Sequence, residues 1–247
     1  GPGFDCAGVA LDLWNELELT EGDGVSVEGE GAGELPEDDS NLAVRAYALV
    51  ADPAGRRFRF VNRIPLESGL GSSAAAIALG LRAAAPEASA EELLGLALTL
   101  EPHADNLAAA LAGGVTLTWD GRIARIADTL PLAPVALVPP GRVETAAARA
   151  SLPAEIPHTD AAFTLSRAAL LGAGAASGSA DLLTAALDDR VHEPYRESSL
   201  VRELRARLPT GACGATLSGS GPAVMVWADD PAACAAELEQ RYHEHRV

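Results

Sequence analysis

Residues Pro65-Leu66-Glu67-Ser68-Gly69-Leu70-Gly71-Ser72-Ser73-Ala74-Ala75 leave few options for the fold around them. Glycine at 69 and 71 lets the backbone turn sharply and come close to a ligand, so that successive amides can point at one anionic group. The alanine-rich stretch that starts at Ser72 or Ser73 and runs to Ala85 reads as a helix that stops before Pro86. A glycine loop that opens a helix adds the positive end of the helix dipole to those amides. Serine hydroxyls there can donate to phosphate oxygens or help ligate Mg²⁺. The string reads as a phosphate cradle.

Composition narrows what such a cradle can be. All 18 basic residues of the chain are arginine, and lysine is absent. A GxxxxGK[ST] loop and a pyridoxal phosphate Schiff base are both excluded, so phosphate chemistry must rest on backbone amides, hydroxyls, magnesium and arginine. ATP-dependent phosphorylation of a small molecule is the expectation. A formal net charge of −17 argues against a nucleic-acid partner or an anionic membrane surface, since both need clustered cations. No apolar run approaches the roughly 20 residues that span a bilayer, and no charged-then-apolar signal opens the sequence; the cytoplasm is the expected address. Cys6, Cys213 and Cys234 form no CxxC pair and read as reduced thiols, with no disulfide framework or zinc site.

Strands are expected at 24–29, 58–63, 115–119, 135–138, 215–218 and 223–228 from alternation and short apolar runs. Helices are expected at 42–50 behind the capping residues Ser40 and Asn41, and at 90–100 behind Ser89. Further helices are read at 106–111, 159–171, 180–187, 199–208 and 231–243, with a glycine-rich joint between the third and second of these from 172 onward. The mixture is α+β, divided into domains at 1–130 and 131–247.

The 65–75 string also matches in full the PxxxGLGSSAA motif of the superfamily that includes galactokinase, homoserine kinase, mevalonate kinase and phosphomevalonate kinase. Gly214-Ala215-Thr216-Leu217-Ser218-Gly219-Ser220-Gly221-Pro222 resembles that superfamily's C-terminal glycine-rich motif. Within it the chain resembles the homoserine kinase family. Residues 1–12, GPGFDCAGVALD, are similar to the end of that family's N-terminal signature, whose strand and Ser-Ala-Asn-Leu portion do not precede Gly1 here. Glu101-Pro102-His103-Ala104-Asp105-Asn106 resembles its EGHxDN segment, with proline in place of the usual glycine. His192-Glu193-Pro194-Tyr195-Arg196 is similar to its HxPYR element, and Leu165-Ser166-Arg167 to another short pattern, where Thr164 stands in a place often held by asparagine.

This resemblance implies a two-domain kinase fold, with a mixed α/β N-terminal domain and a ferredoxin-like C-terminal domain. It implies that ATP phosphates lie on Pro65, Leu66, Glu67, Ser68, Gly69, Leu70, Gly71, Ser72, Ser73, Ala74 and Ala75, with Asn41 near the base. Mg²⁺ would be held by Glu101 with Ser72 or Ser73. The implied acceptor is L-homoserine, a zwitterion with one reactive hydroxyl. Arg167 and Arg196 present planar forks suited to its carboxylate. Asp5 would accept from its ammonium or hydroxyl group, and Asn106 would orient the hydroxyl; these two are the candidate catalytic residues. His103 and Asp105 would shape the substrate loop, and Gly219 joins the substrate set. A homodimer is implied as well. Two other readings stand beside this one: a relative that phosphorylates another alcohol, such as mevalonate, which has no ammonium for Asp5 to accept from, and a non-catalytic nucleotide or amino-acid sensor on the same fold.

Overall fold

The computed structural model describes residues 1–196 and 198–247. It divides into two compact units, neither of them a single run of sequence. The N-terminal unit takes Asp5–Leu66 and Gly71–Arg125, and the C-terminal unit takes Gly1–Phe4, Glu67–Leu70 and Ile126–Val247. Residues 1–4, 67–70 and 126–130, assigned above to the first domain, thus group with the second. Among the described residues no helix is long and apolar enough to cross a membrane.

In the N-terminal unit, β1 (Ala7–Val9), β5 (Val115–Trp119) and β6 (Arg122–Ala127) form one sheet in the order β1-β5-β6. A second sheet has the order β2-β4-β3, from β2 (Glu16–Glu21), β3 (Gly24–Gly29) and β4 (Arg56–Asn62). Strand β4 pairs antiparallel with β2 and parallel with β3. Its alternation explains its place at the centre: Phe58 and Phe60 are buried, while Arg57 and Arg59 face solvent. Arg59 bridges both neighbours through Glu18 and Glu28, an exposed arrangement that solvent screens.

Helix α1 (Leu42–Ala48) covers this sheet with Val44 and Tyr47 against Phe58 and Phe60. Helices α2 (Ser72–Ala84), α3 (Ala90–Ala97) and α4 (Ala104–Ala112) bury Ile77, Leu81, Leu93, Leu94 and Leu107 together. Full burial of each such side chain is worth roughly 1.5–3 kcal/mol. Helices α1 and α2 touch closely because position 80 carries glycine; a Cβ there would fall on the carbonyl of Ala43. Helix α3 begins with a reciprocal capping box between Ser89 and Glu92, which fixes its start.

The C-terminal unit holds one antiparallel sheet, β7-β9-β8, from β7 (Ala133–Leu137), β8 (Ala212–Leu217) and β9 (Val224–Ala228). Helices α8 (Ser199–Ala206) and α9 (Pro231–Arg241) pack Val201, Leu204, Cys234 and Leu238 onto Leu137, Ala215, Val224 and Val226. The rest of the unit is α5 (Thr145–Ala150), α6 (His158–Ser177), α7 (Ala180–Ala186) and a 3₁₀ turn at Glu193–Tyr195. The expected joint after Leu171 is not a break. Helix α6 runs on through Gly172 and Gly174, and the left-handed Gly178 ends it. Gly174 is small for packing instead, since a Cβ on it would lie 2.9 Å from the amide of Leu183 on α7.

Candidate active site

The glycine-rich string is shared by the two units, and each part is built by its own surroundings. Its first part, Glu67–Leu70, is locked to the second glycine-rich motif. The hydroxyl of Ser218 donates to the carbonyl of Gly69 at 2.8 Å, and the amide of Ala223 donates to the carbonyl of Ser68 at 2.9 Å. Gly69 has φ +85°, and a Cβ on it would lie 2.3 Å from the carbonyl of Ser218. No other residue fits there. The two motifs read separately from the sequence therefore form one backbone-to-backbone contact.

The second part opens α2. Gly71 is its N-cap, left-handed with φ +74°, and the amide of Ala75 closes the first turn on its carbonyl at 2.9 Å. The first-turn amides of a helix have no acceptor within the helix, and such a start is where an anion can be held. Ala74 is fully buried, which seats the turn in the unit's core. Ser72 is half-buried and Ser73 exposed.

Ser73 donates to Oε2 of Glu101 at 2.5 Å, and Oε1 of that carboxylate lies 3.0 Å from Nδ1 of His103. Among the described residues no group of three His, Cys, Asp or Glu side chains is placed to hold a metal ion. A cation at Ser73 and Glu101 would need its other ligands from water and phosphate. That donor set fits magnesium, which takes oxygen ligands, binds one or two carboxylates and keeps several waters.

Asn106 sits beside the loop, with Oδ1 3.4 Å from where a Cβ on Gly71 would be. Asp105 is largely buried, and burial raises its carboxyl above the usual range, helped by the charge of Asp5 and opposed by the amide of Asn106. Asp5 itself holds a left-handed backbone, φ 56°, uncommon for a non-glycine residue and a mark of a constrained loop. Burial, then Asp105 and Asp5, also push the Cys6 thiol up. Asn41 caps α1: its Oδ1 accepts the amide of Ala43 and its Nδ2 donates to the carbonyl of Pro36. Both ends of that amide are used within the helix entry.

In the C-terminal unit, Arg196 is 8 % exposed and donates from Nη1 to the carbonyl of Gly219 at 2.6 Å. Its guanidinium lies 5.1 Å from the ring centroid of Phe4, and that ring also stacks on His192 at 4.6 Å. Arg167 projects from α6 over Phe163, and among the described residues its buried Nε has no hydrogen-bond partner. An unsatisfied buried donor on a cation is costly without a ligand. The structure thus joins Arg196 to Gly219, and Ser73 to Glu101 and His103.

Sequence reasoning passed over Phe4 and Asp189. Asp189 accepts the amides of Val191, His192 and Glu193, and so shapes the HxPYR element from below. The signal was present as an aspartate just ahead of a turn, a position where a carboxylate commonly binds amides two to four residues on.

Residues 41–114 match the family model described as the GHMP kinases N terminal domain. The chain is 42 % identical over 252 residues to a homoserine kinase of Clavibacter michiganensis, covering 94 % of this chain and 79 % of that one. It belongs to the homoserine kinase family. A homoserine kinase of Gloeobacter violaceus is 40 % identical, over 91 % of this chain and 82 % of the relative. Among solved structures, a homoserine kinase from Cytophaga hutchinsonii superposes with a TM-score of 0.85 at 26 % identity, covering 98 % of this chain and 86 % of that one. Mevalonate kinase of L. major shares the fold alone, with a TM-score of 0.67 at 18 % identity.

Proposed function

We infer that the chain transfers the γ-phosphoryl group of MgATP to the hydroxyl of L-homoserine and releases O-phospho-L-homoserine, a step of threonine biosynthesis. The observation that carries this reading is the likeness to curated homoserine kinases at 42 % identity across 94 % of the chain. The amides of loop 69–73 cradle the phosphates, aided by the hydroxyls of Ser72 and Ser73. Magnesium, held through Ser73 and Glu101, would neutralise charge on the phosphate oxygens. Arg167 and Arg196 bind the acceptor's carboxylate, and the Nε of Arg167, unpartnered among the described residues, supports that role. Asp5 accepts from the ammonium group, and Asn106 orients the hydroxyl.

Positioning and charge neutralisation supply most of the rate in phosphoryl transfer, so no strong base is demanded of the chain. His103 holds Glu101 rather than reacting. The antiparallel β7-β9-β8 layer and its helices support a ferredoxin-like reading of the C-terminal unit. A cytoplasmic homodimer completes the proposal; light scattering that gives a monomer mass would remove the dimer.

The test is an ADP-release assay with L-homoserine, L-serine, mevalonate and galactose as acceptors. Homoserine-dependent ADP formation well above the other three is the expected result. Turnover of another acceptor alone, or ligand binding without turnover, would overturn the assignment.

A further inference from the structure

Asp189 is the most deeply buried carboxylate near the acceptor side of the site, 3 % exposed. An isolated carboxylate in such a place is strongly disfavoured. This one is ringed by donors. The amides of His192 and Glu193 each reach Oδ2 at 2.8 Å, and the amide of Val191 reaches Oδ1 at 3.2 Å. The hydroxyl of Thr164 donates to Oδ1 at 3.2 Å and in turn accepts the amide of Arg190 at 3.0 Å. Burial alone would raise this carboxyl; the Glu193 amide, His192 and the other amides outweigh it and hold it below the usual range.

The placement of these partners matters more than their number. Thr164 lies one turn before Arg167 on α6, so both share a helix face. Glu193 opens the 3₁₀ turn that ends at Arg196, whose amide donates to the carbonyl of Glu193 at 3.1 Å. One carboxylate is therefore bonded at once to the helix that carries Arg167 and to the turn that carries Arg196. Phe163 reinforces the joint, with the guanidinium groups of Arg167 and Arg190 at 4.5 and 3.9 Å from its ring centroid.

We propose that Asp189, with Thr164 as its donor, is a positioning residue that sets the spacing of Arg167 and Arg196 and so selects acceptors bearing an α-carboxylate. The proposal rests on the reading of those two arginines as the carboxylate clamp. It assigns to Thr164 the duty of tying the helix to the turn.

The test compares wild type with Asp189→Asn, Thr164→Val and Thr164→Asn, using two acceptors. One is L-homoserine; the other is aminopropanol, which is homoserine without its carboxylate, followed by KM or by its Ki against homoserine. Asp189→Asn and Thr164→Val should raise KM for homoserine on the order of tenfold or more, as displaced binding groups do. KM for ATP and the constant for aminopropanol should stay within about twofold. Thr164→Asn, which keeps a side-chain donor, should recover most of the loss. Equal losses on both acceptors in the variants that fold would make the role merely structural and overturn the proposal, as would unchanged homoserine KM. Arg196→Ala, run in parallel, separates the two failures: if it leaves homoserine KM unaltered, the clamp itself is wrong and the inference falls with it.

Discussion

The hydroxyl of Ser73 donates to Oε2 of Glu101 at 2.5 Å while His103 stands 3.0 Å from the other oxygen of the same carboxylate. One oxygen is thus steadied by the imidazole, and the other points with the serine to the start of α2. A cation that replaced the Ser73 proton would find two oxygens already side by side, at the start of α2 where the backbone amides are open to an anion.

Glu101→Gln keeps the size of the side chain and its acceptor for Ser73 but removes the charge. It should lower kcat on the order of a hundredfold, comparable to removal of other preorganised charge at a reacting centre, and raise the Mg²⁺ concentration for half-maximal rate. Ser73→Ala should show a smaller loss that excess Mg²⁺ partly restores. Initial rates of ADP release across a Mg²⁺ titration give both quantities. Unchanged titration curves in the two variants would reject the pair as a cation site.

Gly69→Ala tests the contact between the two glycine-rich motifs. The new Cβ would meet the carbonyl of Ser218 at 2.3 Å, at a backbone φ of +85°. Strain at such a dihedral costs about 1–3 kcal/mol before the collision is counted. Gly33→Ala is the control, because it also has positive φ, +73°, but nothing within 4 Å of its would-be Cβ. Thermal unfolding should show a drop in Tm several degrees larger for Gly69→Ala, with loss of ATP-dependent activity in that variant alone. Similar Tm values for the two would mean that the close approach is not what position 69 needs.

These two sites differ in how far the sequence reveals them. Ser73, Glu101 and Gly69 lie in motifs whose residue types state their chemistry, and the strands β4 and β5 and the helix α2 show regular periodicity. Strand β2 is hard to read because Leu17 and Leu19 are spaced by glutamates, though that alternation is what one buried face requires. Strand β1 has three small residues and gains its structure from pairing with β5, a contact with residues more than a hundred positions away. Glycines 172 and 174 suggested a break because local propensity is poor there; packing of α6 on α7 overrides it. Asp189 is silent for a related reason. Its partners are mostly backbone amides and a threonine 25 residues earlier, and neither leaves a pattern in the sequence.

Arg196 separates charge from shape. It is nearly buried, and one arm of its fork is already committed to the carbonyl of Gly219 at 2.6 Å. Lysine would retain the charge but could not serve that carbonyl and a carboxylate with one planar group. Arg196→Lys and Arg196→Ala should both raise KM for homoserine by about tenfold or more, the range set by loss of a hydrogen bond to a charged group, while KM for ATP changes little. A lysine variant with wild-type KM would show that only the charge matters.

His192 gives the unit a defined response to acid. It is 2 % exposed and stacked on Phe4. Burial pushes its imidazole down from the ordinary 6.5 to about 4, although the charge of Asp189 pulls the other way. The folded state therefore keeps His192 neutral. Above pH 6.5 the unfolded chain is neutral there too, and the contribution to stability is fully present. As pH falls from 6.5 toward 4, the unfolded chain takes up a proton that the folded one refuses, and stability declines by up to about 1.4 kcal/mol per pH unit. Below 4 both states bind the proton and the decline ends. Relative to His192→Gln, which has nothing to titrate at this position, wild type should lose about 2 kcal/mol between pH 7 and pH 4.5. Urea unfolding of both proteins at several pH values measures the difference with the other titrating groups common to each. Parallel stability curves across that interval would show that the buried imidazole is not the group that responds.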